Sequence, residues 1–175
     1  MNWQELLTDA YNRIPSFIEH VLKDLPREKL DWRPHLDTNS IGWLAWHLAR
    51  QQDAQVADLM GEEQLWTQAG WHGRFHRPED PGDIGFGQTP KEVAAFQSPE
   101  PAVLLNYIKA VTARTVIFLN SLSEKDLDRE LDEPQYNPLP TVGVRIISIL
   151  DDCALHAGQA AYIRGLMEGH GWQKY

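Results

Sequence analysis

Cysteine occurs once in this chain, at Cys153, so no internal disulfide is available and a reducing compartment is the natural expectation. Long apolar runs are missing too: none approaches the roughly 18 residues that a membrane span requires. The opening residues, MNWQELLTDAYNR, carry neither the basic start nor the apolar core of a secretory leader, and a cytoplasmic location is expected. Positive charge is scarce. Sixteen Lys and Arg are scattered among 25 Asp and Glu, for a formal net charge of -9. A phosphate-binding surface needs clustered cations that displace counterions, so nucleic acid is not an expected partner. Strand-like alternation, internal repeats and low-complexity tracts are absent as well.

What is present is helical periodicity. Over residues 2–25, Leu6, Leu7, Ala10, Ile14, Phe17, Ile18, Val21, Leu22 and Leu25 recur at steps of three and four, with Pro15 inside the stripe. A second helix is expected from about Asn39 to Met60, capped by Thr38 or Ser40 and stopped by Gly61. A third is expected from Ser98, with Pro99 at its first position and a stripe from Leu104 to Leu122. A fourth spans about Thr141 to Glu168 and ends at Gly169. Four amphipathic helices without strands give an all-α four-helix bundle, read as a single domain over 1–175. The connection from Gly61 to Gln97 is far longer than the roughly 2–8 residues usual in bundles. Leaving Trp66, Trp71, Phe75, Phe86 and Phe96 in water is unfavourable, so this connection is expected to be ordered. It also gives a home to some of the seven tryptophans.

The fourth helix carries DDCALHAGQ. Steps of 100° put Asp152 and His156 on the face that also holds Ile146, Ile149 and Cys153, with Cβ atoms roughly 5–6 Å apart. A carboxylate on an apolar face must be paired, protonated or metal-bound. The pair alone is compatible with a purely structural hydrogen bond or with two ligands of a metal. His47, in WLAWHLARQQDA, lies on the mixed polar and aromatic face of the second helix and is the candidate third ligand. Cys153 is turned away from Asp152 and reads as a small buried hydrophobe. His72 and His76 share the spacing, but in GWHGRFH no helix is implied, and they are not expected to ligate.

DWRPHLDTNSIGWLAWHLAR, followed late in the chain by D-x3-H-A-G-Q, resembles the DinB/YfiT-like superfamily over essentially the whole length. The resemblance implies a metal-binding four-helix bundle with crossover topology, often dimeric. It implies a ligand set of His47, Asp152 and His156. Most members have His where this chain has Asp152, and the mycothiol-dependent maleylpyruvate isomerase branch is similar to this chain in placing a carboxylate there. It further implies a thiol S-transferase or isomerase in which the metal, zinc by the N2O donor set, activates a low-molecular-weight thiol such as mycothiol toward an electrophilic substrate. If water takes the open position, the same centre favours hydrolysis. A non-catalytic metal-binding stress-response module is the remaining alternative. Around such a centre, Trp43, Arg50, Gln51 and Arg145 are candidate substrate or thiol contacts. Trp71 and Arg74 join them if the long connection folds over the site.

Overall fold

A computed structural model describes residues 1–173. Four long helices dominate: α1 (Trp3–Leu22), α3 (Ile41–Met60), α7 (Pro101–Ser121) and α9 (Val142–Glu168). Between them lie the short helices α2 (Arg27–Leu30), α4 (Leu65–Gln68), α5 (Trp71–Arg74), α6 (Pro90–Ala95) and α8 (Glu124–Leu127), with a closing 3-10 turn at His170–Trp172. The protein is all-helical, and the described residues form no strand.

Local chemistry sets the helix ends. Asn2 and Glu5 form a reciprocal capping box at the start of α1. The Ser40 hydroxyl accepts from the Trp43 amide, and Gly61, in the left-handed region at φ 66°, stops α3. Thr141 caps α9 through the Val144 amide, and Gly169 ends it. The third long helix starts later than its sequence suggested. Pro101, not Pro99, takes its first position, because Ser98 is held elsewhere: its amide and hydroxyl both donate to Asp31.

The packing order around the bundle is α1, α7, α3, α9, with α1 and α3 on one diagonal. Directions follow from cross-helix pairs. Tyr11 meets Ile146 and Arg164 meets Val21, so α1 and α9 run parallel. His47 meets His156 and Gln51 meets Ile149, so α3 and α9 run antiparallel. Arg50 and Asp53 meet Tyr107 while Glu62 meets Arg114, so α3 and α7 are parallel neighbours. A parallel pair cannot be joined by a tight turn. The chain must return along the bundle before starting α7, over about 30 Å for a 20-residue helix. That is the physical reason for the long crossover between the second and third long helices.

This connection is pinned rather than loose. Trp66, Trp71, Phe75 and Phe96 are all buried. Phe86 departs from expectation: it is 88% exposed, on a turn between Gly85 and Gly87, both with positive φ. Helix α7 is long and apolar enough on average to cross a membrane, although Asn106, Lys109 and Arg114 interrupt any continuous apolar run. Its apolar stripe, including Leu104, Tyr107, Ile108 and Val111, is instead buried against α1 and α3.

Candidate metal centre

The α3–α9 seam holds the site. One ligand atom each from His47, Asp152 and His156 can be chosen so that all lie within 4.8 Å of one another. His156 Nε2 is 3.4 Å from Asp152 Oδ1, and the two imidazole rings stand edge to face with centroids 4.8 Å apart. Two ligands about 2.1 Å from a tetrahedral ion are themselves about 3.4 Å apart, so small side-chain shifts bring this set to bonding distance. Asp152, despite its short side chain, is close enough to take part.

The outer hydrogen bonds prepare both imidazoles. His47 Nδ1 contacts the Ile84 carbonyl, which can only accept, so Nδ1 carries the proton and Nε2 presents its lone pair. His156 Nδ1 is 2.8 Å from Gln159 Oε1, an acceptor too, which gives the same tautomer. Trp43 stacks on His47 with centroids 4.7 Å apart and an interplanar angle of 17°, and its indole N–H donates to Gln88 at 2.9 Å. The Ile84 carbonyl reaches His47 because Gly85 has no side chain. A Cβ there would sit 2.9 Å from Trp43 and Trp46 and 3.0 Å from His47 Nδ1, on a backbone at φ +86°.

Electrostatics separates the two histidines. Burial lowers the His47 pKa, outweighing the Ile84 hydrogen bond and the Asp152 charge, so this ring stays neutral. Burial pulls His156 down as well, but its hydrogen bonds to Asp152 and Gln159, with the Asp152 charge, raise it above the ordinary value. The other carboxylate oxygen, Asp152 Oδ2, is buried with no hydrogen-bond partner. An unpartnered buried carboxylate oxygen is unfavourable, and a cation resolves it. A divalent metal therefore fits these three residues, with two neutral nitrogens and one oxygen as donors.

Other candidates from the sequence fall in different places. Gln51 is buried beside the site, donating to the Ile149 carbonyl at 3.4 Å and to Cys153 Sγ at 3.5 Å. Arg145 pairs with Glu133 and lines a groove further along the seam. Arg50 is not available to a ligand. It is 0% exposed, and its guanidinium donates to the carbonyls of Asp83 and Pro81, to Gln64 and to the Tyr107 hydroxyl while stacking on Trp66. Its task is to fasten the long connection to α3. Trp71 and Arg74 do not wall the centre either. Trp71 packs on Tyr107 in an aromatic cluster against α7, and the Arg74 guanidinium lies over the Trp71 ring, 4.3 Å from its centroid. Cys153 is wholly buried, and burial, then the Asp152 charge, raises its thiol pKa far above the thiolate range, so it is not a nucleophile.

Two further functional contacts escaped the sequence. The Ile84 carbonyl has no sequence signal, since any residue supplies one. Gln159 had one: three residues after His156 on a helix, it shares that residue's face.

The DinB superfamily profile matches residues 10–160. A crystal structure of a conserved protein from Enterococcus faecalis is similar, with a TM-score of 0.89 and 30% identity, covering 97% of this chain and 99% of that one. No curated protein matches. With a family match over most of its length and a bundle superposing on a solved relative, this chain belongs to the DinB superfamily.

Proposed function

We propose that the protein is a zinc-dependent thiol S-transferase or isomerase that uses a low-molecular-weight thiol, mycothiol or a similar one, against an electrophilic small molecule. The observation that carries this reading is the donor set: two imidazole Nε2 atoms freed by Nδ1 hydrogen bonds, and a buried carboxylate oxygen without a partner. Three protein ligands leave open coordination positions, as in catalytic rather than structural zinc sites. A bound divalent ion would supply the Lewis acidity that makes a coordinated thiol acidic at neutral pH.

The chain's own residues support the rest. Cys153 is sealed in the core, so the sulfur nucleophile has to come from a cosubstrate. In a transfer, the thiol sulfur forms a bond to the electrophilic carbon, the leaving group departs with its electron pair, and the thiol proton passes to solvent. In an isomerisation, sulfur adds to an alkene carbon, the new single bond rotates, and sulfur leaves again with its electron pair. Grooves flank the site along α9. One side is mainly apolar, about 660 Å³, and includes Leu44, Leu155, Tyr162 and Ile163, which suits the carbon skeleton of an electrophile. Thiol chemistry suits a reducing compartment, and the cytoplasm is the location that goes with this reading.

A thiol-conjugation assay with a fluorogenic electrophile tests the reading. Conjugate should form only with both metal and thiol present, and should vanish in the Asp152→Ala/His156→Ala variant. Turnover that continues without any thiol would instead establish a metal-dependent hydrolase. Metal binding with no turnover toward any thiol would leave a binding module.

A further inference from the structure

On the opposite side of the centre, towards the C-terminal end of α3, the seam opens into a groove of about 700 Å³. Gln55, Glu133, Tyr136, Val144, Arg145 and Ser148 line it. Its lining residues on both helices lie next to residues of the metal site. On α9, Ser148 stands one turn before Asp152 and Arg145 nearly two, about 6 Å and about 10 Å along the axis. On α3, Gln55 contacts Gln51, which lies one turn beyond His47.

The groove's charges are a single opposed pair, Arg145 with Glu133, with side chains 17% and 16% exposed. Two backbone bonds, from the Leu131 amide to the Pro140 carbonyl and from the Val142 amide to the Arg129 carbonyl, close residues 129–142 at the start of α9 without drawing on this pair. We infer that this groove seats the non-reacting end of the thiol cosubstrate, and that this thiol is a zwitterion whose carboxylate pairs with Arg145 and whose ammonium pairs with Glu133. The inference rests on the thiol reading above and narrows it to amino-acid or peptide thiols, setting aside mycothiol, whose cysteine is N-acylated and carries no carboxylate.

Three physical points lead there. A zwitterion exchanges one internal ion pair for two charge-assisted contacts of matching sign, and the groove stays neutral. A thiol bearing only negative groups brings like charge against Glu133, which selects against it. With its sulfur at the His47–Asp152–His156 centre and its charged end at Arg145, the cosubstrate spans about 10 Å, or about three extended peptide units. The Gln55 amide and the Ser148 and Tyr136 hydroxyls, all on the groove wall, suit the polar middle of such a molecule.

The test separates the groove from the metal. S-methylglutathione, a zwitterionic tripeptide probe whose sulfur cannot form a thiolate, is titrated calorimetrically into metal-free protein, alongside its N-acetyl and diethyl ester forms. The wild type should bind the zwitterion roughly ten-fold more tightly than either blocked form. Glu133→Gln should erase discrimination against the N-acetyl form. Arg145→Gln should erase discrimination against the ester, while Arg145→Lys retains part of it and guards against a folding defect. Equal affinity for all three probes, or discrimination that survives both neutral variants, overturns the inference. In parallel, the absorption spectrum of the cobalt(II)-substituted protein is followed with 2-mercaptoethanol and with glutathione. A spectrum that responds to thiols without charge discrimination in the groove keeps the thiol reading and rejects the zwitterion. Discrimination with a spectrum that no thiol perturbs rejects the thiol reading and leaves the groove's charge preference standing.

Discussion

Replacing Gly85 by alanine probes how the long connection serves the metal centre. The new Cβ would lie 2.9 Å from the rings of Trp43 and Trp46 and 3.0 Å from His47 Nδ1, closer than packed carbon atoms tolerate. Those atoms belong to buried rings, which have little room to give. Overpacking of this kind costs about 1–3 kcal/mol, and the φ of +86° adds about 1–2 kcal/mol for any residue with a side chain. The expected total is about 2–5 kcal/mol, measured by chemical denaturation of the metal-free protein. A backbone shift at this point also moves the Ile84 carbonyl off His47, and losing such an outer hydrogen bond typically weakens metal affinity about 10–100-fold. Gly87→Ala is the internal control. It has a similar φ, +75°, but a Cβ there meets nothing within 4 Å, so only the backbone term applies and zinc affinity should be unchanged. If Gly85→Ala matches the wild type in stability and zinc affinity, or if Gly87→Ala harms zinc binding equally, the connection does not position His47.

Other outcomes follow from the same contacts. Gln159→Leu removes the acceptor of His156 Nδ1 on an exposed part of α9, and should lower zinc affinity about 10–100-fold with little change in stability, read by competition with a chromophoric chelator. The metal must displace a proton from His156, whose pKa is raised, so zinc affinity should rise as pH climbs through a range above the ordinary histidine value. In the metal-free protein the sign is opposite: the raised folded-state pKa stabilises the fold below the unfolded value, and that increment is lost as pH rises through the folded one. Asp152→Asn should shrink both effects, with His156 shifting to a lower pKa in an NMR titration. Arg50→Ala leaves Asp53 buried without its nearest cation and should destabilise the protein by about 3–5 kcal/mol, and losing its hold on the Asp83 carbonyl beside Ile84 should also lower zinc affinity, read by chelator competition.

Much of the fold was legible because helix periodicity and caps are local. Ser40, Gly61, Thr141 and Gly169 mark helix ends by chemistry that each residue carries itself. The candidate ligand set was legible for a related reason: Asp152 and His156 are one turn apart, and His47 faces away from its own helix's apolar stripe. Contacts made by the connection were not legible. Arg50 looks like a free cation beside His47 until the carbonyls of Pro81 and Asp83 are folded onto it, and no local pattern announces them. Ser98 looks like a helix cap until Asp31 arrives from 67 residues away. Phe86 is apolar and was expected inside, yet the positive φ of both flanking glycines carries it out into solvent.

The most direct measurement is metal content after purification and zinc reconstitution, by elemental analysis, on the wild type and on Asp152→Ala/His156→Ala. One tightly held divalent ion per chain in the wild type and none in the variant is the expected result. Equal metal content in the two proteins would contradict a centre built from His47, Asp152 and His156.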